Sequence, residues 1–287
     1  KNKAYAYSRV FNEASITGGS ITTTGAVKVY ANTNSKANAE SVGSFSVGLA
    51  TVGKLYAEAI SCDYTVAYIS GAEIHANSVI IDAKGNTICR TYSGTPGSIN
   101  FVDDSQMQGV AAIGSTDNSA QNTVKAYAGN GANIIATGDV TITAYNAGDV
   151  QMQLKQGVSV NAVNVGDASL KSYAYLVTDA GVYAGATVTT TTKSGDVEIY
   201  AHDYLHEYER LGGGTNVSIL GSSDDSYAKN NGNQKVTLTI NGKIDAMGSV
   251  YLHTDSDAYQ YAKTGNTNVG VFYSGSKVKA YNDLTRT

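Results

Sequence analysis

Tryptophan is missing from this chain of 287 residues, phenylalanine occurs four times, cysteine twice and proline once. So few large apolar side chains cannot fill a thick globular core, although a thin core of stacked small and β-branched residues remains open. Without tryptophan, a carbohydrate-binding reading loses its best platform. No Cys-x-x-Cys pair occurs, which argues against a zinc or redox centre. Charge is scarce and balanced, with 20 basic and 24 acidic residues and a net charge of −4. A nucleic-acid binder needs a basic stripe, and none is present. Nor does any apolar run approach the roughly 20 residues that span a bilayer. No Gly-x-Ser-x-Gly elbow offers a serine nucleophile.

What the chain does have is 31 glycines, 21 tyrosines and a phrase that recurs five times. It reads Gly-Ala-Val-Lys-Val-Tyr-Ala at 25–31, Asn-Ser-Val-Ile-Ile-Asp-Ala at 77–83, Gly-Asp-Val-Thr-Ile-Thr-Ala at 138–144, Gly-Asp-Val-Glu-Ile-Tyr-Ala at 195–201 and Gly-Ser-Val-Tyr-Leu-His-Thr at 248–254. The lead residues Val27, Val79, Val140, Val197 and Val250 are 52, 61, 57 and 53 residues apart. A degenerate repeat of this length predicts a stack of similar units. Apolar and polar residues alternate within each phrase, the pattern of a strand with one buried face.

Each module adds two satellites. An apolar stretch precedes the phrase, beginning at Ile21, Ile74, Ile134, Val188 and Ile244. A second run begins about twenty residues after the lead valine, at Val47, Val160, Val217 and Val269. In the second module it is read at Val110, which implies an insertion of about eleven residues within Tyr92–Met107, around the single Pro96. A tyrosine-alanine strand closes the module. These spacings predict an all-β, right-handed parallel β-helix with about three coils per 52–61-residue module. Some fifteen coils would then make a rod on the order of 70 Å long. The expected modules are a partial one at 1–20, then 21–73, 74–133, 134–187, 188–243 and 244–287, all within one elongated segment of a longer protein. Immunoglobulin-like sandwiches need about 100 residues per domain. A calcium β-roll needs iterated glycine-rich nonapeptides, hinted at only by Gly212-Gly213-Gly214.

The phrase at 138–144 and its echo at 195–201 resemble the strand-and-turn repeats of filamentous-haemagglutinin-like proteins, large secreted bacterial β-helical adhesins. The resemblance runs from about Ile21 to Asn282. It implies a secreted or cell-surface rod that holds binding surfaces away from a bacterium and contacts a host or bacterial receptor or glycan. It names no receptor.

Candidate binding residues follow from the register. With Val, Ile and Ala inward, Tyr30 and Tyr200 face outward at equivalent positions, and Tyr56, Tyr127, Tyr173, Tyr227 and Tyr281 are expected to form one outward column. Tyrosine joins a flat apolar face to a hydroxyl at low entropic cost, which suits protein and glycan contacts. The same rings could instead pack along the sheet and stiffen it. Cys62 and Cys89 are a candidate disulfide or two separate thiols. His202 and His206 share a face on either a helix or a strand. On a strand they lie about 13 Å apart, too far for one ion. Asp103-Asp104 and Asp224-Asp225 are expected in loops, where acidic residues serve turn amides more often than calcium or catalysis. No metal, cofactor or catalytic group is therefore expected. The function predicted is a stiff spacer with a binding surface. A self-associating surface fibre and a polysaccharide-degrading β-helix are the alternatives.

Overall fold

The computed structural model describes residues 1–212, 214–265 and 267–287, so Gly213 of the glycine run lies outside the described residues. Among the described residues the chain is all-β, with parallel strands in three sheets and no helix. The front sheet holds five long strands, Ala26–Val42, Ser78–Gly94, Val140–Lys155, Val197–Gly212 and Val250–Thr264. Each begins with the recurring phrase. After a short corner the chain runs back through a return sheet, which includes Ser46–Ser61, Gly97–Ile113, Val158–Val182 and Thr215–Ile240. Short closing strands, Ser20–Thr22, Glu73–Ala76, Asn133–Ala136, Thr187–Thr190 and Lys243–Ala246, lead into the next front strand.

Pairing follows the repeat directly. Val27 is in register with Val79, Val79 with Val140, Val140 with Val197 and Val197 with Val250. Ile21, Ile74, Ile134, Val188 and Ile244 form a second ladder across the closing sheet. One module is therefore one level of the stack, which corrects the expectation of three coils per module. Three coils would pair a residue with another about twenty positions away, whereas the observed partners are 52 to 61 positions apart. The phrase lies in the front sheet, the second apolar run and the tyrosine-alanine stretch share one strand of the return sheet (Ser46–Ser61 in the first level), and the third wall is the short strand that precedes the phrase. Five levels advance only about 20 Å, at about 4.8 Å each, while a front strand of 16 or 17 residues is about 55 Å long. The block is wide and shallow.

The second apolar run also needs correction. Its second-level member is Ile99, in register with Val47 on one side and Val160 on the other. Tyr92–Met107 pairs with both neighbouring levels and holds no insertion. The extra residues are Gly114–Gln121, where the first level has only Cys62 and Asp63 between its paired strands. Pro96 sits in a corner between strands, where its missing N–H breaks no ladder. Beside it Gly97 has φ of +118°, and a β-carbon there would meet the Val158 carbonyl oxygen at 1.9 Å, so glycine is required.

Alternation fills the interior. Val140, Ile142 and Ala144 point in, together with their ladder partners in the first, second and fourth levels, and share one core with Ala126, Ala128 and Ile134, while Val250 and Leu252 of the last level are half exposed. A second apolar cluster contains Val150, Met152, Leu154, Leu170 and Leu176. Buried polar side chains lie between the two. Thr65 donates to Thr33 at 2.7 Å, Thr87 to Asp63 at 2.8 Å, and Asn122 to Asn146 at 2.9 Å. Pairing of this kind is what lets polar groups be buried at small cost.

Candidate functional site

Two surfaces repeat along the stack. The first is the outer face of the front sheet. Tyr200 to Arg210 reads equally well at two periods in sequence, and in the structure it is a strand. Tyr200, His202, Tyr204, His206 and Tyr208 therefore point outward, while Ala201, Asp203, Leu205, Glu207 and Glu209 are buried. The last front strand sets Asp255, Asp257, Tyr259 and Tyr261 in register with His202, Tyr204, His206 and Tyr208. Tyr208 stacks on Tyr261 with centroids 5.1 Å apart, and His206 on Tyr259 at 5.2 Å. His206 also meets Asp149 at 2.7 Å, which in turn lies 3.5 Å from Arg90. The result is a flat, rigid field of aromatic and ionisable groups.

His202 lies within this field. Its Nδ1 is 2.7 Å from the Tyr200 hydroxyl, and its ring meets Tyr145 edge-on at 5.1 Å. Its Nε2 is 3.7 Å from Asp257, is shielded from solvent and has no hydrogen-bond partner among the described residues. His202, Asp255 and Asp257 bring one ligand atom each to within 4.8 Å of one another, so these three could hold a divalent cation. His206 has no part in this group, and the pairing of His202 with two carboxylates one level away is invisible in a linear reading.

The predicted tyrosines divide. Tyr30 and Tyr200 do occupy one ladder position, through Asp82 and Thr143, and Tyr30 is half exposed. The other five do not form one column, a correction to the expected register. Tyr56 is in register with Gln108, Tyr173 with Ala112, and Tyr227 with Ser169 and Lys279. Tyr127 instead stacks between Tyr68 at 5.1 Å and Tyr183 at 4.4 Å, a packed ladder that covers the return sheet. Tyr227 touches Tyr281 at 5.8 Å, and Tyr56 bonds through its hydroxyl to Glu58. Tyr56 and Tyr227 share a ladder position through Gln108 and Ser169, Tyr173 and Tyr281 lie four and two residues beyond it, and Tyr127 is on a different strand beyond the 114–121 loop.

The cysteines are separate thiols, so the candidate disulfide is not formed. Cys89 points into the core, where burial pushes its thiol up to about 12, and Cys62 lies half-buried at a corner.

The second surface is the far edge of the return sheet, where each level turns sharply through an arch. Its polarity is inverted. Inside the arches lie Ser98, Asn100, Asp103, Asn161, Asn164 and Asp224, all buried. Asn164 donates to both Asp224 oxygens at 3.0 Å, Asn161 to Asn164 at 3.2 Å, and Ser105 to Asp103 at 2.5 Å. Asp103 and Asp224 are thus in strands, two levels apart, and not in loops as expected. Burial raises Asp224 to about 6 in spite of its amide donors. A half-open cavity of roughly 200 Å³, lined among others by Ser98, Asp103, Asn164 and Asp224, lies beneath the arches.

Outside the arches the ladder Val47, Ile99, Val160, Val217 and Val269 is exposed to solvent, as are Phe101 and Val102 at one apex and Ile219 and Leu220 at another. The reason is register. The run that begins about twenty residues after the lead valine is apolar, yet its neighbours at 98, 100 and 161 are the residues that face inward.

No family model matches this chain, and neither a curated protein nor a solved structure matches it.

Proposed function

We propose that this chain is a segment of a secreted or cell-surface bacterial adhesin of the filamentous-haemagglutinin-like kind. In this reading it folds as a right-handed parallel β-helix and presents a binding face to a host or bacterial receptor or glycan. One observation carries the proposal. On the outer front face Tyr200, His202, Tyr204, His206 and Tyr208 line one side of a strand whose other side is locked in the core. Rings held by ladder neighbours have little rotamer freedom left to lose on binding, which favours recognition by a preformed surface. The surface role outweighs the spacer role, since a level of more than fifty residues adds only about 4.8 Å of length.

The test is direct. The folded chain, applied to host cells and to a glycan array, is expected to bind, and Tyr200→Ser with Tyr208→Ser should reduce that binding at least about tenfold, equivalent to about 1.4 kcal/mol. Undiminished binding by the double variant, or none by the parent chain, defeats the reading.

A further inference from the structure

We propose that the apolar ridge over the arches is an interface through which two copies of this chain associate, ridge against ridge. The inference is independent of any ligand on the front face.

The ridge is not a set of scattered apolar residues. It recurs at every level, with Val47, Ile99, Val160, Val217 and Val269 in continuous register. The three inner rows have neighbours above and below and are still open on their outer side. Ile99 is 51% exposed, Phe101 58% and Ile219 59%. Together the ridge side chains leave on the order of 1,000 Å² of apolar surface in water, beyond the few hundred Å² of an ordinary monomer's largest patch. A standard stable interface uses about 800 Å² per partner, so the ridge is large enough to hold a dimer by itself.

Burying these side chains within their own level is not open to the chain. A one-residue slip would turn Ser98, Asn100, Asp103 and Asn164 outward and break the network beneath the arches. Inverted polarity is thus locked in by that network, and only an external partner can cover the ridge.

The partner's chemistry follows from what the ridge lacks. No charged residue occurs within the registered stretches 47–50, 99–102, 160–163, 217–221 and 269–273, and Asp104, between Val52 and Val165, stands on their flank. Anionic lipid and charged proteins have nothing there to attract them. A second copy supplies the same uncharged ridge with the same row spacing of about 4.8 Å, so its rows can interdigitate along the full length. Such a pairing is isologous, with each copy burying the same residues, and it closes at two.

Sedimentation velocity of the chain from about 1 to about 100 µM tests the proposal, a range that spans the expected affinity. A dimer is expected, and Phe101→Ser combined with Ile219→Ser should weaken it at least about a hundredfold, while Tyr200→Ser leaves it unchanged. Val160→Thr, which keeps the β-branched shape, provides a second variant should the first fail to fold by circular dichroism. A parent chain that stays monomeric throughout overturns the inference, as does a dimer that survives both ridge changes. A monomer that floats with phosphatidylcholine vesicles also overturns it, and assigns the ridge to lipid.

Discussion

Replacing Glu209 with methionine should stabilise this protein at alkaline pH and leave it almost unchanged at pH 4.5. Glu209 points into the second apolar region of the core, and its buried carboxyl oxygens have only Ser172 and the Lys229 backbone beside them as donors, neither in good hydrogen-bond geometry among the described residues. Met152 occupies the same ladder position one level away, so methionine suits the site in shape. Burial raises the Glu209 carboxyl from its ordinary 4.5 to about 8, with Ser172 only partly offsetting this and Glu207 adding to it. Glu207 is itself raised to about 7 by burial, although Ser172 and Gln260 donate to it. The sign is that of an acid which holds its proton more tightly when folded. Below 4.5 both states are protonated and nothing is lost. Between 4.5 and about 8 the unfolded chain releases the proton first, so stability falls as pH rises, and above about 8 the full loss is present. At about 1.4 kcal/mol per tenfold change in proton affinity, the ceiling is about 5 kcal/mol. The last front strand can relax toward solvent beside it, and a gain of about 2–3 kcal/mol at pH 9 is the working figure. Chemical denaturation at pH 4.5, 7 and 9 measures it. The parent should lose stability across this series and Glu209→Met should lose less. A variant whose pH dependence parallels the parent's would refute the reasoning, as would a parent that becomes more stable with rising pH.

Other expectations concern the corner thiol and the odd loop. Cys62, half-buried at a corner, should react with a thiol reagent in the native state, while Cys89 should react only after unfolding, and non-reducing electrophoresis should show no internal bridge. Replacing Ser115–Gln121 with a single residue, close to the short Cys62-Asp63 link of the first level, should change stability by less than about 1 kcal/mol, read by thermal melting, because this stretch lies outside the strand pairing and Gly114, whose N–H donates to the Ser61 carbonyl, is kept. A loss of several kcal/mol would show that the loop supports the stack.

Much of the architecture could be read from the chain itself. The lead valines and the preceding Ile/Val run do form unbroken ladders, because strand alternation and repeat length are local properties that a linear chain carries. The number of strands per level is not local. Nothing in the spacing of Val27, Val47 and Tyr56 tells whether they lie in three coils or, as the structure has them, on a front strand and a single return strand of one level. Nor is hydrophobicity a guide at Val47 and Val160, which are exposed while their polar neighbours take the interior.

The sequence alone determined that the chain is all-β, that its phrases repeat at 52 to 61 residues and that the lead valine and the alternate apolar residues after it share one face, since a strand has a period of two. Only the tertiary structure decided that one repeat makes one level. It also brought His202 to Asp255 and Asp257, left Cys62 and Cys89 apart, and turned the arches inside out. The physical reason is common to all four. Each depends on which residues become neighbours across levels, and a single shifted loop or a miscounted wall changes every such partner while leaving the local pattern intact.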